Sequence, residues 1–306
     1  MAKPKRIAII GAGSMARMRG RALVQAGAEI IAVAARSTAS ASKLTSELGG
    51  VDVDDYRQLA ELKPDGVLIE VPHDVQDGIT TTVISWGVGV LVGAPLANSA
   101  AAADAIYQQA DAAAVPVEAG FHMRYSPDWI EARNTIHDGT LGDIIAVQST
   151  AHYQGDPQRW NYDQSKSGGM PIMLMTFYYL NPLRWMFGAP VDVHAMANRK
   201  KNTAKGLLDE ETCQAIIRFE NDVMCTMLAG VVNHEQRPHA SVYVLGTEGA
   251  MEFSPLGMGK GTLTIHKNGT TKTTQFENPA VAFVEQARAF LASLDGNPTL
   301  LNPAED

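Results

Sequence analysis

The chain has 306 residues, 45% of them apolar and 19% charged, with a formal net charge of −8. This composition marks a soluble globular protein long enough for two domains. It excludes non-specific binding to nucleic acid, which needs a basic surface, and no apolar run is long or clean enough to span a membrane. The first residues enter a strand pattern with no signal-peptide core, and two cysteines, Cys213 and Cys225, cannot build a disulfide framework. A cytoplasmic protein with free thiols is expected.

The first strand pattern, Lys5–Ile10, breaks into Gly11-Ala12-Gly13-Ser14-Met15-Ala16 and then into a helix to Ala26. A dinucleotide's pyrophosphate needs this strand, tight turn and helix. Gly11 permits the turn, Gly13 lets backbone approach phosphate, and Ala16 keeps helix and strand close. Gly11, Gly13, Ser14, Met15 and Ala16 are therefore candidate cofactor residues. A second strand, Glu29–Ala34, ends at Ala35-Arg36-Ser37. A carboxylate at this tip would bind the ribose hydroxyls of NAD. A guanidinium beside small hydroxyl residues suits a 2′-phosphate instead, so Arg36 and Ser37 point to NADP, with NAD possible.

Helix and strand patterns then alternate: Ser40–Leu48, Val51–Val53, Asp55–Leu62, Gly66–Val71, Val75–Trp86, Val88–Val92, Ser99–Ala114 and Val117–Phe121. Six strands with intervening helices predict a doubly wound parallel sheet of the Rossmann kind over residues 1–121. The rhythm changes afterwards. A helix at Pro127–His137, a strand at Leu141–His152 and a long apolar helix at Ser167–Phe187 precede seven closely spaced strands between Val191 and Phe276. A helix follows at Val281–Leu294. Residues 122–306 read as an α/β domain with an open, mostly antiparallel sheet, covered on one face by the long helix. Asn198–Asp209, rich in lysine, reads as a mobile loop.

Several motifs, in order, resemble the Gfo/Idh/MocA oxidoreductases. They are the glycine turn, Leu91-Val92-Gly93-Ala94-Pro95-Leu96-Ala97, Val117-Glu118-Ala119-Gly120-Phe121-His122-Met123-Arg124-Tyr125-Ser126-Pro127, Ser167-Gly168-Gly169 with Leu180-Asn181-Pro182-Leu183-Arg184-Trp185, and the closing Asn302-Pro303. The resemblance implies an NAD(P)-dependent oxidoreductase, with Pro72, Ala94 and Pro95 beside the cofactor. The chain departs from the family at the positions that carry chemistry. Family members usually have Glu-Lys-Pro where this chain has Gly93, Ala94 and Pro95. Their helical aspartate, histidine and aspartate correspond here to Leu174, Tyr178 and Asn181.

Oxidising a secondary alcohol needs a group to take the hydroxyl proton as hydride leaves, and Ala94 and Leu174 cannot do so. Tyr178 can, if a nearby cation lowers the phenol's pKa. Tyr178 is thus expected as proton donor, Arg124 as the orienting cation and His122 as an alternate donor, with ligand held between Ala94-Pro95 and the Leu174–Tyr178 face. A helix rich in Met, Phe and Tyr suits a flat or conjugated substrate better than a polyol. The segment Pro157-Gln158-Arg159-Trp160 resembles the biliverdin reductases, a branch that also lacks the lysine. That branch, and a catalytically silent NADP-binding regulator, are the alternatives. No metal site is expected. A small-molecule substrate and a homo-oligomer, dimer or tetramer, paired through the C-terminal sheet are expected. Glu70, where small residues are usual, is a proton relay or a source of repulsion.

Overall fold

The computed structural model describes residues 3–169, 177–234, 239–255, 261–297 and 300–302. The chain forms two compact units, residues 1–122 with 282–306, and residues 123–281.

In the first unit, strands β1 (Arg6–Ile10), β2 (Glu29–Ala34), β3 (Val51–Val53), β4 (Gly66–Ile69), β5 (Gly89–Val92) and β6 (Val117–Ala119) make a parallel sheet of order β3-β2-β1-β4-β5-β6. Helices α1 (Ser14–Gln25), α2 (Thr38–Leu48), α3 (His73–Ile84) and α4 (Ala100–Ala113) cover its faces. The expected helix at Asp55–Leu62 is a 3₁₀ segment, Tyr56–Leu62, capped by Asp55. A strand buried on both faces needs apolar residues at every position. β1 meets that demand: Ile7 and Ile9 join one core with Leu23, while Ala8 and Ile10 join the other with Val83 and Ile106. The final helix, α8 (Ala280–Ser293), adds Phe283, Ala287, Phe290 and Leu291 to the core that holds Ile7 and Ile9. Those side chains place residues from 282 onward with the Rossmann unit, where the sequence pattern assigned them to the second domain.

The second unit contains α5 (Pro127–His137), β7 (Ile144–His152), α6 (Gln164–Ser167), α7 (Phe177–Phe187), β8 (Pro190–Asn198), β9 (Thr212–Phe219), β10 (Met224–Gly230), β11 (His239–Gly246), β12 (Gly249–Ser254), β13 (Gly261–Lys267) and β14 (Thr270–Phe276). Its eight strands run β14-β13-β12-β11-β7-β10-β9-β8, all neighbours antiparallel except β7 with β10. Period-two alternation sends Val147, Ile217, Cys225, Met227, Val242, Val244 and Phe253 to a core shared with Tyr179, Leu183, Met186 and Phe187 of α7. The long helix expected from Ser167 does not begin there. Ser167 ends the short α6, which Gly168 closes in the left-handed region at φ +75°. Leu174 lies outside the described residues. The start of the Asn198–Asp209 loop is held by the residue before β9: the Glu211 carboxylate accepts from the backbone N–H groups of Lys200, Lys201 and Asn202 at 3.2, 2.9 and 3.1 Å.

Candidate functional site

The sheet order reverses between β1 and β4, and the carboxyl ends of those strands are where an open α/β sheet takes a ligand. β1 ends at Ile10. The Gly11 N–H then donates to the Ala34 carbonyl and the Glu70 N–H to the Ile10 carbonyl, each at 2.8 Å. Gly11 has φ +107°, and a Cβ there would stand 2.0 Å from the Glu70 carbonyl oxygen. Gly13 precedes α1 as its N-cap and makes no side-chain cap, and a Cβ on it would meet nothing within 4 Å. The unpaired N–H groups of the first turn of α1 thus open onto free space, a cradle for an anionic pyrophosphate. Ser14 is exposed, Met15 half-buried, and Ala16 fully buried in the core with Ile7 and Ile9. These residues fit a dinucleotide.

At the end of β2, Arg36 is exposed and makes no hydrogen bond or ion pair among the described residues. Ser37 is committed to the cap of α2, accepting from the Ser40 N–H at 3.4 Å. Asp54 and Asp52 receive hydrogen bonds from Thr38 and Ser42 at 3.3 and 3.0 Å. The guanidinium is therefore the unengaged charge at this tip.

Pro72 is the N-cap residue of α3, and the Ala94–Pro95 peptide bond is cis. One buried side chain holds the loop after β5. The Gln76 amide donates to the carbonyls of Gly93, Pro95 and Leu96 at 3.1, 2.6 and 3.0 Å. Sequence reading passed Gln76 by. Its signal is a polar residue four positions before Thr80 on the buried face of α3, where an amide needs partners. Ala94 is 7% exposed and presents only a methyl group. Beside it, Glu70 forms an ion pair with Arg19 of α1, Oε1 to Nε 2.6 Å. Burial raises the Glu70 pKa above its ordinary value, and the charge and hydrogen bond of Arg19 oppose the rise. Arg19 is itself buried, donates to Gln286 and to the Gly120 carbonyl, and lies 5.2 Å from the Phe283 ring centroid.

The three expected catalytic side chains fall in different units. His122 packs within the first, its ring stacked on Phe283 at 3.9 Å. Burial first, and then the Arg19 charge, lower its pKa to about 3, so the imidazole is neutral at neutral pH and lacks the imidazolium proton that a general acid would give up. Arg124 and Tyr178 belong to the second unit. Arg124 is buried and committed to α7: Nε donates to Asn181 Oδ1 at 3.0 Å and Nη2 to the Asn181 carbonyl at 2.8 Å. Tyr178 is half-buried against the core of that unit.

Among the described residues no group of three or more His, Cys, Asp or Glu could hold a metal ion, and no helix is long and apolar enough to cross a membrane.

Comparison with known proteins agrees with this geometry. Residues 5–121 match the model of the Gfo/Idh/MocA oxidoreductase family with its NAD-binding Rossmann fold, and residues 129–252 match the family's C-terminal domain. The chain is 24% identical over 302 residues to the myo-inositol dehydrogenase Hyg17 of Streptomyces leeuwenhoekii, covering 95% of this chain and 89% of that protein. It is also similar in fold to GenD2 from gentamicin A biosynthesis, solved with NAD (TM-score 0.87, 20% identity, 100% of this chain and 90% of that one). The biliverdin reductase of Synechocystis sp. PCC 6803, solved with biliverdin and NADP+, shares the fold as well (TM-score 0.82, 18% identity, 99% and 94%). With a nucleotide cradle at the switch point and both family domains matched in order, the chain belongs to the Gfo/Idh/MocA family of NAD(P)-binding oxidoreductases.

Proposed function

We propose that the protein transfers hydride between NADP(H) and a substrate less polar than a polyol, of conjugated or aromatic character. The observation that carries the substrate half is Ala94. A buried methyl group stands where the family resemblance implies a lysine, so no amine is available there to take a hydroxyl proton. The free Arg36 guanidinium carries the cofactor half, since the 2′-phosphate is what a cation at this tip would recognise. NADP(H) supplies the hydride, and the protein's own work is to bind, orient and protonate. We assign Tyr178 as the proton donor and Arg124 as the residue that fixes α7 through Asn181. His122, neutral above about pH 3, keeps a packing role.

A stopped-flow screen with NADPH tests the reading, using sugars, keto sugars, aromatic ketones and linear tetrapyrroles. Turnover of a flat or conjugated compound supports it, and turnover of inositol or glucose at ordinary enzyme rates overturns it. Silence across the panel would favour a binding protein without activity. Titration of both cofactors against the protein and an Arg36→Ala variant tests the other half. We expect the substitution to weaken NADPH at least about tenfold and NADH less than about twofold, because a charge-assisted phosphate contact is lost. Equal or tighter NADH binding by the unsubstituted protein would overturn the preference.

The same reading includes a homo-oligomer paired through the outer face of the second sheet. Strand register lines up Met196, Gln214, Leu228, Thr150 and Ser241 in one row, and His194, Ile216, Thr226, Gln148 and Tyr243 in the next. Across β8, β9, β10, β7 and β11 neither row contains Lys, Arg, Asp or Glu, and the second row meets a charge only at Glu252 of β12, opposite Tyr243; Met196 and Ile216 are 82% and 60% exposed. A second copy of the chain is the occupant that such a face fits.

A further inference from the structure

Glu70 is the residue of the cofactor edge that hydride transfer leaves without a task. It follows β4, on the side of the switch point toward β5, the half of a doubly wound dinucleotide fold that takes the nicotinamide. Three observations fix its carboxylate. Its backbone closes on Gly11, whose missing side chain makes room for the Glu70 carbonyl. Its Oε1 is paired with Arg19 Nε at 2.6 Å, and Arg19 is anchored in turn by Gln286 and the Gly120 carbonyl. Its Oε2 lies over Gly93, where an added Cβ would stand 2.8 Å away. Glycine at position 93 is thus the space in which the Glu70 carboxylate sits, and the negative end of the Glu70–Arg19 pair faces the loop after β5.

A fixed charge matters to a cofactor whose two forms differ in charge. The oxidised nicotinamide ring is cationic and the reduced ring is neutral. A carboxylate on that side of the site therefore interacts differentially with the two forms, and only such a difference shifts their relative affinities. We propose that Glu70, seated on Gly93 and held by Arg19, sets the charge of the nicotinamide half-site. It makes this chain bind oxidised cofactor more tightly, relative to reduced, than a neutral side chain there would. The inference rests on the binding of a nicotinamide dinucleotide by the first unit, and on neither the substrate nor the preference for NADP.

The test is binding, not turnover. Dissociation constants for NADP+, NADPH, NAD+ and NADH are measured by titration calorimetry on the unsubstituted protein, Glu70→Gln and Glu70→Asp. The Gln variant is expected to raise the ratio of oxidised to reduced Kd roughly tenfold, from loss of one nearby charge. The Asp variant keeps the charge and is expected to hold the ratio within about threefold of the original. If Glu70→Gln does not fold by circular dichroism, Glu70→Ser is measured in its place, with the same expectation. Equal weakening of oxidised and reduced cofactor would overturn the proposal and leave Glu70 as a support of the turn. Failure of the unsubstituted protein to bind any of the four would overturn the cofactor reading, and this inference with it.

Discussion

Gly11 and Gly13 stand two residues apart and are glycine for different reasons. Gly11 is constrained by the protein: its φ is +107° and a Cβ would sit on the Glu70 carbonyl. A Cβ at Gly13 meets nothing in the protein, so we propose that the approach of the dinucleotide is what asks for glycine there. Gly11→Ala is therefore expected to cost more than about 2 kcal/mol of stability, read as a lowered midpoint in urea. Gly13→Ala should leave stability within about 0.5 kcal/mol while weakening cofactor binding. Tyr178→Phe keeps the ring and removes one oxygen. If the phenol is the proton donor, turnover falls roughly a hundred- to ten-thousandfold with NADPH binding unchanged. Full activity in that variant would remove the assignment. His122 adds a pH effect with a definite sign. Its folded pKa, about 3, lies below the ordinary value of 6.5, so between those limits the unfolded chain binds more protons. Stability from this residue is present above about pH 6.5 and is lost as pH falls toward 3, at up to about 1.4 kcal/mol per unit. His122→Asn should flatten that part of the stability curve in acid titrations followed by circular dichroism. The glycine turn and the place of Arg36 at the end of β2 were legible because both follow from local strand and turn patterns. The state of His122 was not, because it depends on Arg19 and Phe283, which are distant in sequence.

At the scale of elements, the alternation of helix and strand was enough to read the parallel sheet, since each βαβ step is a local pattern. The long helix from Ser167 was misread because an apolar run has no punctuation once Gly168 is taken for a helical residue. The fate of α8 was also hidden. An amphipathic helix announces that it packs, not on what. Its attachment depends on a buried polar set: Gln286 donates to Glu118 Oε1 at 2.8 Å and to the Ala119 carbonyl at 3.0 Å. Asn302, beyond the helix, donates to the same Glu118 oxygen at 2.7 Å and to the Phe121 carbonyl at 3.1 Å. Asn302→Ala should destabilise the first unit by about 1–3 kcal/mol, because a buried carboxylate loses a donor. Thermal unfolding of that variant against Asn297→Ala, a neighbour without such contacts among the described residues, isolates the effect.

At the scale of the whole molecule, light scattering at micromolar concentration is expected to find more than one subunit. Ile216→Glu with Leu228→Lys, on the outer sheet face, should dissociate them without loss of secondary structure. A monomeric unsubstituted protein would overturn pairing through this face. The return of α8 to the Rossmann unit bears on how the chain matures. A ribosome delivers the β1 strand first and Phe290 nearly three hundred residues later, yet both belong to one core. The nucleotide domain is therefore expected to lack one wall of its core until α8 has been made. A chain cut short anywhere before residue 282 leaves Ile7, Ile9 and Leu23 without their covering helix, and such a fragment should be captured by chaperones rather than by cofactor. Nucleotide binding is thus expected only of a chain that already carries α8.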